Sequence, residues 1–132
     1  MKKIIIPGIL AFITIILAVV IFNKPAGTNP KAFKVTDNVT VTEDGKQMIT
    51  IDAKGGYSPR ETNAKADVPT LLQIKTKFTM DCSSSLVIPS LKFRKVLPVS
   101  GGTIIEVPPQ KPGTSIRGLC SMGMYSFNLN FN

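Results

Sequence analysis

Residues 120–131 read CSMGMYSFNLNF. From Tyr125 to Phe131, aromatic or aliphatic residues alternate with polar ones. Because successive side chains of a β-strand point to opposite faces, this pattern predicts a strand with one buried and one polar face. The first five residues of the stretch include three sulfur-containing side chains. We therefore expect a half-buried strand with a sulfur-rich loop immediately before it.

A period of two also governs shorter segments beyond residue 30. Asp44-Gly45 lies between two of them, and Asp-Gly in that setting is a strong hairpin signal. No segment beyond residue 30 has the period of a long amphipathic helix. Short strands separated by turn residues predict an all-β sandwich. The predicted strands include 39–41, 48–51, 70–76, 86–88, 103–107 and 125–131, with Pro108, Pro109 and Pro112 marking a loop between the last two.

An uncharged apolar run, residues 4–22, follows Lys2 and Lys3. At about 1.5 Å per residue, a helix over this run extends roughly 28 Å, close to the thickness of a bilayer core. Basic residues before the run favour an N-terminus left in the cytoplasm. Residues 19–22 are all large, so no cleavage site follows the run, which favours a retained anchor. We expect a signal anchor in residues 1–23, a linker in 24–34, and a folded domain in 35–132 outside the cytoplasm, on a single-pass protein of the cell membrane.

Charge and composition exclude several classes of function. The net charge is +8, which suits a solvated surface or a docking surface for acidic partners or anionic lipid. Nucleic-acid binding is not expected, because finger spacing, clustered arginines and RNA-binding aromatic motifs are lacking. The chain contains no His, the commonest general base and metal ligand. We therefore expect no enzymatic activity. Lys92, Arg94 and Lys95 around Phe93 predict a charged edge strand or a docking patch.

Cys82 and Cys120 are the only thiols in the chain, and three of its five methionines, Met80, Met122 and Met124, lie within four residues of one of them. Thiolate and thioether sulfur together select Cu(I) over harder metals. Gly118 and Gly123, on either side of Cys120, would let its loop turn tightly around an ion.

A disulfide is the alternative for the same two cysteines. Two cysteines in an oxidising compartment usually pair. A bridge closing about 39 residues would stabilise the fold by about 4 kcal/mol in the chain-entropy account. The neighbouring methionines would then fill gaps in the core. The residues themselves leave both interpretations open.

The segment Cys120-Ser121-Met122-Gly123-Met124-Tyr125, placed before an alternating strand, resembles the cupredoxin-like (plastocyanin-like) domain family, in particular its His-less, Cys- and Met-rich bacterial type associated with copper handling. The resemblance covers roughly residues 35 to 131. Departures occur at Asp67, where glycine is usual, and at Thr62-Asn63, where an apolar residue is expected. Other segments agree in order and spacing: 55–59 (GGYSP), 65–69 (KADVP), 81–83 (DCS), 87–89 (VIP) and 106–114 (EVPPQKPGT).

The resemblance implies a Greek-key β-sandwich with a copper site. Blue-copper members use two His and one Cys, so that site cannot form in a chain without His. The resemblance places Cys82 at the first-ligand position, and Cys120, Met122 and Met124 on the later loop. It thus implies a Cu(I) site formed by these four residues, serving copper sequestration, resistance or transfer to a copper-handling protein. A disulfide-stapled interaction module without metal is the alternative.

We predict that the protein keeps its N-terminal apolar segment, because the run is long enough to span a bilayer and no credible cleavage site follows it. N-terminal sequencing of the membrane-extracted mature protein should therefore begin at or near Met1. A mature start between residues 23 and 31 would contradict the anchor and leave export standing.

Overall fold

A computed structural model describes residues 34–132, which form two five-stranded sheets packed on a common core. The first sheet contains β1 (Val39–Val41), β2 (Gln47–Ala53), β5 (Thr70–Thr76) and β8 (Gly101–Val107) in that order, with β3 (Tyr57–Ser58) pairing with β2. The second sheet contains β4 (Glu61–Ala64), β10 (Ser126–Phe131), β9 (Ser115–Cys120), β6 (Ser85–Ile88) and β7 (Phe93–Val96) in that order. Two 3-10 turns, Cys82–Ser84 and Pro89–Leu91, flank β6.

Both sheets are mixed. β2 pairs with β5, and β4 with β10, in parallel, whereas the other pairs are antiparallel. The prediction of an all-β sandwich is confirmed. The predicted anchor and nearly all of the linker lie outside the described residues. Within residues 34–132, no helix is long and apolar enough to cross a membrane.

The alternating strands supply the core. In β10, Phe127, Leu129 and Phe131 are buried, as the alternation predicts, and the asparagines between them lie on the outer face. β2 and β5 share one burial pattern, in which every second residue is buried between the sheets. Ile49 and Leu72, neighbours in the β2–β5 register, are both fully buried.

The predicted loop between β8 and β10 is wrong in one respect, because β9 lies within it. β9 alternates as expected of a strand, with Ile116, Gly118 and Cys120 inward. The middle inward residue is a glycine, so no apolar period is visible in the sequence. A Cβ at Gly118 would overlap the ring of Phe127, its partner across the strands. Gly118 therefore belongs to a strand, where it makes room for Phe127, and not to the loop around Cys120.

The two departures from the family pattern have structural explanations. Asp67 has a φ of +57°, in the left-handed region that glycine adopts freely and Asp tolerates. Thr62 is an inward-facing, fully buried residue of β4. Its hydroxyl accepts a hydrogen bond of 2.9 Å from Asn38 Nδ2, so the polar atom is satisfied at an otherwise apolar position.

We predict that Gly118→Ala lowers the free energy of unfolding by about 1–3 kcal/mol, the usual range for overpacking a filled core. Urea denaturation of the wild type and the variant measures this loss. Gly102→Ala is the matched control, because Gly102 lies in exposed backbone of β8 and an added Cβ would approach only the end of the Gln73 side chain, at 3.4 Å. We expect the control to change stability by less than about 0.5 kcal/mol. Equal effects of the two substitutions would contradict this account of Gly118.

Candidate metal centre

Several loops meet at one end of the sandwich, which we call the cysteine end: residues 77–84, 97–100 and 121–125, with the turn 54–56. The Thr79 amide donates to the Val99 carbonyl at 2.8 Å, and the Thr79 hydroxyl donates to the Ala53 carbonyl. The Ser121 amide donates to the Ser85 carbonyl at 2.9 Å. Residues far apart in the chain are thus held in one small region.

Cys82 and Cys120 lie together at this end, joined in a disulfide with their Cα atoms 5.8 Å apart. Cys120 is the last residue of β9, lies opposite Leu86 of β6 and is fully buried. Cys82 is the half-buried first residue of the first 3-10 turn. The structure therefore brings the two predicted sulfur ligands into contact, as both the metal and the disulfide interpretations require.

Asp81 fixes the turn that carries Cys82. Its carboxylate accepts hydrogen bonds from the Ser83 amide at 2.8 Å, from the Ser83 hydroxyl, and from the Gly55 amide at 2.8 Å. The Ser83 hydroxyl is the main reason why the pKa of Asp81 lies below its usual value, and the two amides act in the same direction. Asp81 therefore stays charged well into the acid range and links the Cys82 turn to the loop after β2.

The segment after Cys120 turns back tightly. The Cys120 amide donates to the Tyr125 carbonyl at 3.0 Å, and the Gly123 amide donates to the Cys120 carbonyl at 2.8 Å. Gly123 has a φ of +73°, which favours glycine. The Tyr125 amide points at the Cys120 sulfur, 3.4 Å away. A backbone N–H in this position stabilises negative charge on a sulfur atom, so it would favour the thiolate once the disulfide is reduced.

The methionines near the cysteines are on the surface. Met80, Met122 and Met124 have 83%, 77% and 66% of their surface exposed. They do not fill gaps in the core, so the role that accompanies the disulfide alternative in the sequence does not apply to them. Their sulfurs are accessible, whereas Cys120 is buried. Whether Met122 and Met124 act as ligands stays a prediction.

Exposed apolar residues concentrate at the cysteine end. Among residues 34–132, eight large hydrophobic side chains are exposed. Six of them lie in the loops of this end or at the strand terminus beside it: Phe78, Met80, Val96, Val99, Met122 and Met124. A cluster of exposed apolar side chains is typical of a surface that contacts another molecule.

Tyr57 is a structural residue of the site that the sequence interpretation did not identify. Its ring packs edge-on against Phe127, with centroids 5.1 Å apart, and its hydroxyl donates to the Ser83 carbonyl at 3.1 Å. Burial, with a smaller contribution from the Asp81 charge, raises the pKa of Tyr57 to about 12. The residue was visible in the GGYSP motif, but only the folded chain shows that its hydroxyl reaches the turn of Cys82.

The donor set at this end is composed of sulfur. Among residues 34–132, no group of three or more His, Cys, Asp and Glu side chains is placed to hold a metal ion. Reduction of the disulfide frees two thiols with Cα atoms 5.8 Å apart. One ion with metal–sulfur bonds of about 2.3 Å fits between thiolates at such a separation. The accessible methionine sulfurs can add a third, weaker donor.

We predict that Tyr57→Phe lowers the free energy of unfolding by about 1 kcal/mol at pH 9, because a buried hydrogen bond is lost. The pKa of Tyr57 is raised in the folded protein, from 10.0 to about 12. The contribution of the Tyr57 hydroxyl to the free energy of unfolding is therefore complete below about pH 10 and is lost as the pH rises through 12. The gap between wild type and variant, measured by urea unfolding, should narrow over this interval. A constant gap would contradict the prediction, and Tyr125→Phe is the control for the only other tyrosine.

The fold and the site can be compared with known proteins. The family description "Cupredoxin-like domain" matches residues 11–128, whereas no curated protein matches the sequence. One similar solved structure is the metal-binding domain of the Cu(I)-exporting P-type ATPase CopA of Streptococcus pneumoniae, solved with Cu(I); the identity is 21%, the TM-score is 0.60, and the match covers 69% of this chain and 90% of that one. Another is a copper-binding protein solved by NMR in the apo form, with 22% identity, a TM-score of 0.63, and coverage of 71% and 94%.

At these identities the two solved structures show similarity of fold. The family match is of a different kind, because it extends over most of the chain and includes Cys82, Cys120, Met122 and Met124. It also agrees with the mixed two-sheet sandwich of residues 34–132. The chain therefore belongs to the cupredoxin-like domain family.

Proposed function

We propose that this protein binds copper as Cu(I) through the reduced thiolates of Cys82 and Cys120, assisted by Met122 or Met124. The observation that carries the proposal is the meeting of the two cysteines at one end of the sandwich, beside accessible methionine sulfurs. Soft thiolate and thioether ligands select Cu(I). The two solved structures of similar fold, one a metal-binding domain with Cu(I) and one a copper-binding protein, support the proposal.

The disulfide corresponds to the form that does not bind copper. A disulfide has no thiolate, and thiolates are the copper ligands proposed here. Two electrons and two protons from a thiol reductant convert the disulfide to two thiols. Binding of Cu(I) then releases those two protons as the thiolates take up the ion. Copper binding therefore requires a reducing step, which an external dithiol such as a thioredoxin-like protein can supply.

The proposed setting is the outer side of the membrane. The apolar run 4–22 would anchor the protein, and residues 35–132 would hold copper outside the cytoplasm for sequestration, resistance or transfer to a copper-handling partner. The exposed apolar side chains at the cysteine end support transfer, because an ion held there is next to a surface suited to contact. We propose that the protein acts by binding copper and not as an enzyme.

A second candidate function is supported by the same disulfide. A bridge between residues 38 positions apart ties the β9 end to the turn before β6 and stabilises the domain without any metal. In that case the cysteine end is a stapled interaction surface, and copper binding plays no part.

We predict that the reduced protein binds one Cu(I) and that Cys82→Ser or Cys120→Ser removes most of the affinity. Replacing a residue that only hydrogen-bonds to a metal ligand lowers metal affinity by about 10–100-fold. Loss of a thiolate ligand itself should therefore lower the Cu(I) affinity by more than about 100-fold. Met122→Leu or Met124→Leu should cost about 10-fold, because thioethers are weaker donors. Competition with a Cu(I)-specific chelator under anaerobic conditions measures these affinities.

Met48→Leu is the matched control, because Met48 lies in β2 away from the cysteine end and its loss should leave the affinity unchanged. The oxidised wild type should compete no better than the double Cys→Ser variant. If the reduced wild type also binds no better than that variant, copper binding is excluded and the disulfide-stapled module becomes the better account.

A further inference from the structure

A groove of about 590 Å³ opens on the outer face of the first sheet, next to the cysteine end. It lies where β2 and β5 end and β8 begins. Its lining is mostly apolar, formed by strand backbone and the stems of long side chains. The residues that shape it are Lys54, Gln73, Lys75, Lys77, Gly101 and Gly102.

The groove exists because β8 begins with two glycines. Asp52, Lys75 and Gly102 are neighbours across β2, β5 and β8. Any side chain at position 102 would stand on the outer face, and its Cβ would lie 3.4 Å from Nε2 of Gln73. With glycine there, the sheet surface is recessed between Lys75 and the edge of the sheet. A larger residue at position 102 would fill the recess without backbone strain, because the φ of Gly102 is not positive.

The groove is electropositive. Lys54, Lys75 and Lys77 are exposed at its border, and Asp52 is the one acidic residue in its lining. Lys75 lies in β5 and Lys77 directly follows the strand; both are exposed, with the buried Thr76 between them, and both line the groove. Lys54 follows β2, which is parallel to β5 and in contact with it. Cations at the rim of an apolar groove are complementary to a segment with alternating acidic and apolar side chains.

The loop after β5 exposes an aromatic residue that is next in sequence to the groove lining. Phe78 follows Lys77, has 71% of its surface exposed and has a φ of +50°, an uncommon conformation for a bulky residue. Its amide donates to the Ser100 hydroxyl at 2.9 Å, and the Lys77 amide donates to the Thr79 hydroxyl at 3.2 Å. The loop is therefore held in a shape that leaves Phe78 at the surface, where it offers an apolar contact next to the lysines.

We propose that this groove binds an extended acidic segment of a partner protein, whose carboxylates contact Lys54, Lys75 and Lys77 and whose apolar side chains lie in the groove and against Phe78. A polypeptide segment fits the concave shape better than a bilayer, because a planar lipid surface cannot enter a recess in the face of the sheet. The groove adjoins the cysteine end, so a bound partner would be positioned next to Cys82 and Cys120. The binding itself does not depend on copper.

The test uses the full chain in uncharged detergent and a fluorescein-labelled twelve-residue peptide with alternating Glu and Leu. Fluorescence anisotropy should show saturable binding that weakens when salt is raised from about 0.05 to 0.5 M. The double variant Lys75→Glu/Lys77→Glu should weaken binding by about 10-fold or more. Its matched control, Lys65→Glu/Lys111→Glu, makes the same change in net charge at exposed positions away from the groove and should weaken binding less than about threefold.

The variant Gly102→Leu tests the effect of the groove's shape on binding separately from the effect of its charge. It leaves every lysine in place and fills the recess, so it should weaken peptide binding about fivefold or more, while urea unfolding confirms that the variant is folded. Three outcomes would overturn the proposal. The first is the absence of saturable binding to wild type up to about 1 mM peptide. The second is an equal loss of peptide affinity in Lys75→Glu/Lys77→Glu and in Lys65→Glu/Lys111→Glu. The third is binding of phosphatidylserine–phosphatidylcholine vesicles through Lys75 and Lys77 without binding of the peptide, which would assign the lysines to an anionic membrane.

Discussion

The contact between Phe127 and Gly118 determines where the cysteines lie. Phe127 projects inward from β10 into space that any side chain at position 118 would occupy. Phe127 also packs against Tyr57, whose hydroxyl donates a hydrogen bond to the carbonyl of Ser83. One aromatic pair thus connects the strand that ends in Cys120 with the turn that begins at Cys82. Because the interior of a protein is close-packed, a shift of this pair would move both sulfurs relative to one another.

The rest of the cysteine end extends this support with polar bonds. Asp81 joins the turn of Cys82 to the loop after β2, and Thr79 joins the loop before that turn to Val99 and Ala53. These loops place apolar side chains in water, at a cost to solubility that folding alone does not require. Exposure of Phe78 and the nearby methionines is therefore better explained by contact with other molecules than by stability. An apolar, accessible end of this kind agrees with the proposed transfer of copper to a partner protein.

The sequence predicted the parts of the fold in which period and residue type agree. In β10 every inward residue is apolar, and in β2 and β5 the central inward residues are apolar, so alternation alone identifies the strands. β4 and β9 were missed because their inward residues include Thr62 and Gly118, which carry no hydrophobic signal. Thr62 is buried because Asn38 satisfies its hydroxyl, and Gly118 because Phe127 covers it. Both reasons are tertiary contacts, which a pattern along the chain does not contain.

For the candidate site, the sequence identified the two cysteines but not the residues that position them. Cys82 and Cys120 were identified together, because no other residue of this chain offers the same chemistry and the family pattern places them on two loops. The structural roles of Tyr57 and Asp81 were not identified, because a tyrosine after two glycines and an aspartate before a cysteine are common in loops. Their roles depend on a carbonyl and an amide that are distant in the chain, at Ser83 and Gly55. The groove also escaped detection, because it results from the register of β2, β5 and β8.

The separation of the two cysteines has a consequence for the newly made chain. Cys82 is synthesised 38 residues before Cys120, and its partner reaches it only when β9 has docked on β6. Non-local pairings of this kind form slowly, because a long loop must close before any contact repays its entropy. During that interval Cys82 is a single thiol, open to mixed disulfides with glutathione or with another chain. Correct pairing of Cys82 with Cys120 therefore depends on how quickly the final strands assemble, and a thiol-exchange catalyst would return mixed disulfides to the folding pathway.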